Sequence, residues 1–482
     1  MIVLEEIAFS HRETRTRFPF RYGIASMTEL PHVFVRVRLR VGDHSGEGLA
    51  SEGLAPKWFT KNPATTFSED LPDLLRVLQT AASHGLTIPA QPDVFTWWRQ
   101  LYSAQSAWAI AENLPPLLAH LGTSLVERAA LDAYCRLQGL TIAEAFSRDA
   151  LGFRVEQIHA HLPAEAQRAF LEPGPAGTVT VRHTVGLGDP LTAADLSETQ
   201  PLADGLPYTL EEIIPRYGLT WFKIKLSGRE DEDLDRLGTL ARLLPRLSPD
   251  YRVTLDGNEQ FGDVDTFRDA WERMSANPAL AELLGRDRVH VVEQPLHRDK
   301  ALGDEVGAAL RAWPERPPLI IDESDCEVGT VSQALQLGYA GSSHKNCKGV
   351  FKGVANGIML ANRSGAVQTG EDLANIGPVA LLQDLAIMAL LRIPDVERNG
   401  HHYFRGLSPF PAELGEAVLA AHPDLYETLP DGTATLKIRG GLIELGSVLQ
   451  APFGQSLAPG RILELAGVRQ GLPSPQIPCD RS

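Results

Sequence analysis

Three short β-prone runs, each ending in a carboxylate, place the strongest constraint on how this chain folds. The acidic residues and their runs are Asp256 in 252–258, Glu293 in 289–295 and Asp322 in 318–324. Glu293 lies 37 residues after Asp256, and Asp322 lies 29 residues after Glu293. Because a strand and its crossover helix together need roughly 30 residues, we expect each carboxylate to lie one β/α unit after the previous one.

The shared position of these carboxylates predicts a metal site. If the parallel strands close into a (β/α)₈ barrel, all three residues meet at its C-terminal rim, where such barrels carry their chemistry. Three clustered anions repel one another unless a cation neutralises them, and ligands that are all oxygen favour a hard cation. The sequence therefore predicts that Asp256, Glu293 and Asp322 bind Mg²⁺.

Composition and charge exclude several classes of partner. The chain has 482 residues, of which 43% are hydrophobic and 22% charged, which is ordinary for a soluble protein. A formal net charge of −16 argues against nucleic acid and anionic membranes. No apolar run approaches the length of a membrane span and no basic segment precedes the apolar N-terminal residues, so we expect a cytoplasmic protein. The four cysteines, Cys135, Cys326, Cys347 and Cys479, are too scattered for a disulfide framework and are expected to be thiols.

Strand and helix patterns divide the chain into three parts. Residues 1–123 do not alternate strand and helix, although 33–40 alternate apolar residues with arginines, which predicts a strand with a solvated basic face. Residues 124–405 alternate strand and helix, starting with a helix predicted from the capping-box pattern Ser124-Leu-Val-Glu127. The last strand of this part is predicted at His402–Arg405. Residues 406–482 are predicted to be a tail that packs on another domain.

Lysines flank the predicted metal site in the sequence. Lys223 and Lys225 lie two residues apart on the strand before Asp256, so both side chains point the same way. Because the outside of a barrel is apolar, we expect both to point inward. Lys345 follows Asp322 by 23 residues and would approach the metal from the other side. A lysine beside a dication and a second lysine has its charged form disfavoured, so we expect its pKa to fall toward that of a general base.

Taken together, these motifs resemble the enolase superfamily, in particular the mandelate racemase/muconate-lactonizing-enzyme family, and are closest to its muconate-lactonizing-enzyme subgroup. The motifs are, in chain order, Lys-x-Lys at 223–225, Asp256 with Asn258, Glu293 before Gln294-Pro295, Asp322-Glu323-Ser324, and Lys345. The resemblance implies an α/β fold with a modified (β/α)₈ TIM barrel at 124–405. It also implies an α+β N-terminal capping domain at 1–123 that is completed by the C-terminal tail at 406–482.

The resemblance further implies a reaction. Such enzymes hold Mg²⁺ with three carboxylates against a substrate carboxylate, and a lysine removes the proton α to it. Lys225 would be the base, Lys345 the opposite acid/base, and Lys223 and Asn258 would contact the substrate. The expected protein is a homo-oligomeric isomerase or lyase that acts on a small-molecule carboxylate by racemisation or epimerisation, cycloisomerisation, or elimination such as dehydration.

Two aromatic segments of the N-terminal part are expected to be loops that cover the barrel mouth. These segments, Phe18–Gly23 and Gly53–Phe59, each combine aromatic side chains with a cation. The family resemblance implies that two such capping loops lie over the barrel mouth, so Arg21, Lys57 and Trp58 are predicted substrate contacts, and closure of the loops would exclude water from the site. The alternative is that the aromatic residues simply pack the small domain.

Departures from the family pattern leave the reaction open. The segment 369–372 reads Thr-Gly-Glu-Asp where mandelate racemases carry a histidine after the seventh strand, which disfavours that subgroup, and the Asp-x-Asp of dipeptide epimerases is not evident. The sequence does not assign roles to several polar residues near the predicted rim, namely Glu323, Glu371, Asp372, His401 and His402.

Three other functions compete with this interpretation. His159-Ala-His161 resembles the first motif of the metal-dependent amidohydrolases, but no histidines follow at later strand ends. Lys225 could form a Schiff base, which would leave the three carboxylates without a role. The barrel could also bind a carboxylate without turning it over, and the pair of lysines argues against this.

Overall fold

The structure, a computed structural model, describes residues 1–196, 202 and 204–473. Cys135, Cys326 and Cys347 carry free thiols, whereas Cys479 lies outside the described residues. Across the described part of the chain, no helix combines the length and apolar character needed to cross a membrane.

An antiparallel sheet opens the chain. Its strands are β1 (Ile2–Tyr22), β2 (Ala25–Val41) and β3 (His44–Gly53). The alternation predicted within β2 holds, since Val33, Val35 and Val37 are buried while the arginines between and after them lie on the other face. These arginines form cross-strand ion pairs: Arg36 with Glu6 and Glu47, and Arg38 and Arg40 with Glu5. The basic stripe is therefore a solvated face.

Five helices follow this sheet, of which α1 and α3 pack on it, and one of them corrects a prediction. The helices are α1 (Phe67–Thr87), α2 (Val94–Ala111), α3 (Pro116–Gln138), α4 (Ile142–Ser147) and α5 (Ala164–Leu171). The helix start predicted at Ser124 is wrong, because α3 begins at Pro116 and is buried on all sides from Leu117 to Cys135. Glu127 does not cap α3; its Oε1 accepts a hydrogen bond from the N–H of Phe351 at 2.7 Å. The predicted division at 123/124 falls inside this helix, and the domain boundaries stay predictions.

Eight parallel strands then form a closed barrel. The strands are β4 (Thr178–Val185), β5 (Trp221–Lys225), β6 (Arg252–Asp256), β7 (Val289–Glu293), β8 (Leu319–Ile321), β9 (Gly341–His344), β10 (Val367–Gly370) and β11 (Asp395–Arg398). The helices between them are α6 (Leu210–Tyr217), α7 (Glu230–Leu247), α8 (Val264–Ala276), α9 (Asp304–Ala312), α10 (Thr330–Leu337), α11 (Val350–Ala361) and α12 (Ala380–Leu390). Each strand pairs with the next, and β11 pairs with β4. The predicted TIM barrel is confirmed.

The last strand lies earlier than predicted. His402–Arg405 is not a strand: residues 400–403 form the short helix α13 (Gly400–Tyr403), and the barrel closes with β11. Three of the four residues of β11 are charged, so the sequence shows no apolar run there. Their charges are neutralised inside the barrel: Asp395 by Arg182, Glu397 by Lys223, and Arg398 by Asp372.

The tail contributes to both parts of the molecule. Its elements are α14 (Ala412–Ala421), β12 (Tyr426–Thr428), β13 (Ala434–Leu436), β14 (Leu442–Glu444), α15 (Gly446–Gln450), α16 (Pro459–Leu465) and β15 (Arg469–Gln470). Strand β15 pairs with β1 and so completes the N-terminal sheet, as expected for a capping domain. Strand β14 pairs antiparallel with the start of β4, so the tail also extends the barrel sheet.

Buried histidines predict a loss of stability in acid. Burial lowers the pKa of His120 to about 3, far below the value of about 6.5 in an unfolded chain. Below pH about 6.5 the unfolded state therefore binds a proton that the folded state does not, so this contribution to stability is present above that pH and is lost as the pH falls. Buried Glu127, whose pKa burial raises to about 7, acts in the opposite direction, so the effect of one histidine must be isolated by substitution.

We expect the destabilisation caused by His120→Gln to shrink by about 1.4 kcal/mol for each pH unit below 6.5. Glutamine can keep the bonds to Ser106 and Thr123, which lie 3.2 and 3.1 Å from the imidazole nitrogens. Urea unfolding of both proteins at pH 7.5 and 5.5 measures the difference. An equal penalty at the two pH values would contradict the assignment of a neutral, buried imidazole.

Candidate active site

The strand register brings the predicted ligands and lysines to one end of the barrel. Lys225 on β5 pairs with Asp256 on β6, and Asp256 pairs with Glu293 on β7. Asp322 directly follows β8, and Lys345 directly follows β9. All five side chains are buried. The structure therefore brings together every predicted metal ligand and both predicted catalytic lysines.

Lys223 lies among four carboxylates inside the barrel. Its Nζ is 2.6 Å from Glu293 and Glu371, 3.0 Å from Asp256 and 3.1 Å from Glu397. Burial alone would lower the pKa of Lys223, but these anions outweigh it and hold the pKa well above its usual value. Lys223 is thus a permanently charged group that holds four strand ends together.

Lys225 and Lys345 contact different carboxylates on opposite sides of the barrel. The Nζ of Lys225 donates to Asp256 Oδ2 at 2.6 Å, and the Nζ of Lys345 donates to Asp322 Oδ2 at 2.6 Å. Their strands β5 and β9 are four positions apart in the closed eight-stranded barrel. A substrate held between them would therefore expose one face to each lysine.

The predicted lowering of a lysine pKa is not produced by the protein groups around Lys345. Burial lowers its pKa, but Asp322 together with Glu293 and Glu371 outweighs burial and raises the pKa above its usual value. In return, Lys345 and Lys348 overcome the effect of burial on Asp322 and hold the pKa of this carboxyl well below its usual range. The prediction considered repulsion by neighbouring cations and left out the carboxylate that each lysine contacts.

Turns directly after the strands fix the carboxylates. Gln294, at φ 35°, accepts hydrogen bonds through its side-chain oxygen from the N–H groups of Asp322 at 2.8 Å and Ser324 at 3.2 Å. Asn258, at φ 39°, donates its own N–H to Asp256 Oδ1 at 2.9 Å. These left-handed positions are uncommon for residues with side chains. The backbone strain is located next to the residues predicted to bind metal.

The donor chemistry of the site fits a hard dication, although the carboxylates are paired with lysines. Within residues 1–196, 202 and 204–473, no three acidic, histidine or cysteine side chains form a preassembled metal cage. Lys223 lies between Asp256 and Glu293, and lysines hold both oxygens of Asp322. However, Glu293 Oε1 is buried without a hydrogen-bond partner. Burial and nearby Glu371 raise the pKa of Glu293, as expected where neighbouring cations do not fully neutralise a buried carboxylate.

A charge count supports the same conclusion. Five carboxylates and four ammonium groups meet here, a formal net charge of −1 when all are ionised. The carboxylates are Asp256, Glu293, Asp322, Glu371 and Glu397, and the ammonium groups are Lys223, Lys225, Lys345 and Lys348. A dication together with a substrate carboxylate would bring this total to zero.

The N-terminal sheet and the loop after it cover the site. A small cavity of about 30 Å³ lies between them and the barrel, lined by Lys223, Lys225, Asn258, Asp322 and Lys345 below and by cap side chains above. The Trp58 ring lies over Lys345, with 5.1 Å from Nζ to the ring centroid. Arg298 donates to the carbonyl of Trp58 at 3.0 Å and pairs with Glu259 at 2.7 Å. The loop that carries Trp58 is thereby fixed to the barrel rim.

Two predicted substrate contacts are not at the site. Phe18–Gly23 is not a loop, because β1 continues to Tyr22 and pairs with β2. Strand alternation then buries Phe18, Phe20 and Tyr22 toward the barrel and exposes Arg21. Lys57 turns away as well, since its Nζ is 2.6 Å from Asp70 and 2.7 Å from Thr65. Lys57 anchors its loop to α1, and Trp58 alone of the three predicted cap contacts lines the cavity.

The structure places the residues whose roles were left open. Glu371 contacts Lys223 and Arg182, and burial raises its pKa to about 7. Asp372 lines the cavity, 3.0 Å from Arg398, and burial raises its pKa to about 6.

Four further residues are buried beside or outside the cavity. Glu323 lies beside Asn258, and burial raises its pKa to about 7. His401 pairs with His183, and His402 packs on Phe18. His159 of the amidohydrolase-like motif bonds Asn356 at 3.0 Å and does not line the cavity.

Glu397 and Lys348 are site residues that the sequence interpretation missed. The sequence predicts the last strand at 402–405, which leaves Glu397 outside it. Glu397 Oε1 accepts a hydrogen bond from the Thr184 hydroxyl at 2.6 Å, and Glu397 Oε2 is 3.1 Å from Lys223 Nζ. Lys348 lies three residues after Lys345, on the same short turn, and its Nζ is 2.8 Å from Asp322 Oδ1. The three-residue spacing between Lys345 and Lys348 is the sequence signal that could have indicated that both lysines reach the same carboxylate.

We expect Lys352→Met to destabilise the protein by about 3–5 kcal/mol and Lys348→Met by clearly less. Lys352 holds Asp325 at 2.7 Å, and its loss leaves that buried carboxylate with Lys348 3.9 Å away. Asp322, by contrast, keeps Lys345 and Ser343 when Lys348 is replaced. Urea unfolding of the two variants measures both losses. A larger loss for Lys348→Met would show that Lys345 does not compensate.

The comparisons with known proteins concern the fold. No family model matches the sequence, and no curated protein is significantly similar to it. Among solved structures, the chain is similar to a muconate lactonizing enzyme from Pseudomonas fluorescens solved with muconolactone. The TM-score is 0.58 at 16% identity over 96% of this chain and 99% of that chain. The chain has the fold of the mandelate racemase and muconate lactonizing enzymes.

Two further structures of this fold were solved with magnesium. A dipeptide epimerase from Enterococcus faecalis V583, in complex with Mg and the dipeptide L-Leu-L-Tyr, has a TM-score of 0.58 at 13% identity, covering 94% of this chain and 99% of that chain. An enolase from Bradyrhizobium, in complex with magnesium and mandelic acid, has a TM-score of 0.57 at 14% identity, covering 98% and 99%. At such low identities the likeness establishes the fold, and the chemistry must be argued from the site.

Proposed function

We propose that this chain is an enolase-superfamily isomerase or lyase of the mandelate racemase/muconate-lactonizing-enzyme family. It removes the proton α to a substrate carboxylate, and the outcome is racemisation or epimerisation, cycloisomerisation, or elimination. One observation carries the proposal: Lys225 and Lys345 line a single cavity from opposite sides of the barrel, each in contact with a carboxylate of the predicted metal site.

Asp256, Glu293 and Asp322 would hold Mg²⁺. Magnesium is held in proteins by a few carboxylates together with water and substrate oxygens, which suits three carboxylates at a closed barrel mouth. When bound, Mg²⁺ supplies positive charge that stabilises the dianion formed when a carboxylate loses its α-proton. The two structures of this fold that were solved with magnesium support this choice of metal.

The residues of the chain would bind, orient and move the proton. Lys223 and Asn258 would hold the substrate carboxylate, with Lys223 fixed in place by Glu371 and Glu397. Lys225 would take the α-proton at Nζ, and Lys345 would return it or act as the opposing cation. Trp58, above Lys345, would exclude water during the transfer.

The test is solvent-deuterium uptake. A panel of carboxylic acids is incubated in D₂O with the protein and Mg²⁺, and ¹H NMR follows loss of the α-proton signal. We expect uptake with at least one class of acid, and we expect EDTA to abolish it. A protein that binds acids but exchanges no α-proton in any of them would be a carboxylate-binding barrel, which is the competing function.

A further inference from the structure

The upper wall of the active-site cavity is apolar, and this carries an inference about the substrate. The side chains that form it are Phe20, Tyr22, Met27, Ala55 and Trp58 from the cap and Leu373 from the barrel. All six residues are at most 8% exposed. The Tyr22 hydroxyl donates to the carbonyl of Pro56 at 2.7 Å, so it is already used within the cap.

Cations of the surrounding cap segments point elsewhere. Arg17 pairs with Asp204 at 2.6 Å and Lys57 with Asp70 at 2.6 Å. Lys61 lies nearer, but it pairs with Glu259 at 3.2 Å, donates to the backbone carbonyl of Asn258 and does not line the cavity. Arg21 is exposed on the outer side of β1. Among the described residues that line the cavity, every cation is one of the three lysines on the barrel floor.

We propose that the substrate is a carboxylic acid with a single carboxylate and a compact apolar group, aromatic or branched aliphatic, next to its α-carbon. The inference rests on the proposed function, because it assumes that the carboxylate lies on the lysine floor. A second carboxylate directed at the cap would be buried without a partner, which is costly, whereas an apolar group would gain from burial there.

The short distance between the cap and the lysines limits the size of that group. About 30 Å³ has room for roughly two water molecules, so the cap must open before any acid enters. Because the Trp58 ring is only 5.1 Å from Lys345 Nζ, a substituent under the closed cap lies directly beside the carbon that loses its proton.

The experiment compares two acids that share an α-carbon bearing one hydrogen: 2-phenylpropionate, with an apolar group, and 2-methylsuccinate, with a second carboxylate. Titration calorimetry with Mg²⁺ present gives each Kd. We expect the wild type to prefer 2-phenylpropionate by about 100-fold. We expect Trp58→Arg to lose or reverse this preference, because it places a cation in the upper wall.

Two further variants separate the proposal from effects of folding. Leu373→Lys adds a cation from the barrel side and should shift the preference in the same direction without altering the cap. Ile24→Arg adds a charge at an exposed turn of the same hairpin, 45% exposed, and should keep the wild-type preference. Equal or tighter binding of 2-methylsuccinate by the wild type, or no binding of either acid, would overturn the proposal.

Deuterium uptake measured on the same samples distinguishes this inference from the proposed function. Preferred binding of 2-phenylpropionate without exchange would leave the ligand class intact and refute the α-proton chemistry. Exchange with 2-methylsuccinate alone would support that chemistry and overturn the apolar class.

Discussion

Replacing either Lys225 or Lys345 with alanine is expected to reduce α-proton exchange by about 10³-fold or more, because each would lose a positioned acid/base. The structure indicates that both variants will fold. Without Lys225, Asp256 keeps Lys223 at 3.0 Å and the N–H of Asn258 at 2.9 Å. Without Lys345, Asp322 keeps Lys348 at 2.8 Å and Ser343 at 2.5 Å.

Separate measurement of the two enantiomers of an exchanging acid sharpens this test. If the lysines act on opposite faces, each variant should lose exchange from a different enantiomer while the wild type exchanges both. If one lysine is the base and the other only a cation, a single enantiomer is exchanged by the wild type and lost in both variants. Lys300→Met, at an exposed lysine beyond β7, is the control. Wild-type exchange in both alanine variants would remove the lysines from the mechanism.

The second large effect concerns the metal. We expect Asp256→Asn, Glu293→Gln and Asp322→Asn each to weaken Mg²⁺ binding by about 100-fold or more, because even residues that only support metal ligands cost 10- to 100-fold when changed. Equilibrium dialysis measures the affinity without reference to turnover. Glu293→Gln is the cleanest variant, since Glu293 Oε1 has no hydrogen-bond partner, whereas Asp322→Asn leaves two close lysines without their anion.

Asp325→Asn is the matched control for the ligand variants. Asp325 is a buried aspartate three residues after Asp322, and its carboxylate pairs with Lys352, which does not line the cavity. The Asp325→Asn protein should be less stable than the wild type and should bind Mg²⁺ with unchanged affinity. Unchanged Mg²⁺ affinity in all three ligand variants would mean that these carboxylates position the lysines and do not bind the metal.

The predictions that succeeded depended on regular spacing in parallel strands. Residues that end consecutive β/α units must meet at one rim, so the positions of Asp256 and Glu293 relative to Lys225 followed from sequence separation and were recovered in the register. The same argument placed Lys345 opposite Lys225. Sequence separation alone was enough to predict that these residues lie at one end of the barrel.

The predictions that failed depended on tertiary neighbours. Strand β11 looks polar in the sequence because Asp395 and Glu397 find their cations, Arg182 and Lys223, on distant strands. Helix α3 is buried all round, so it lacks the amphipathic pattern that marks where a helix begins. The prediction for Arg21 is wrong because β1 extends to Tyr22 through its pairing with β2, and strand alternation then directs the Arg21 side chain away from the barrel.

The barrel closes where β11 pairs with β4, and the charged residues at this junction affect whether the barrel associates with other chains. Until these strands pair, each is an open sheet edge, and open edges readily recruit strands from other molecules. Arg182 on one edge and Asp395 on the other are inward-pointing charges that pair across this junction, and Arg182 also pairs with Glu371 at the end of β10. A foreign apolar strand added to either edge would bury an uncompensated charge. The ion pair thus makes self-closure the favourable outcome and protects the half-formed barrel against aggregation.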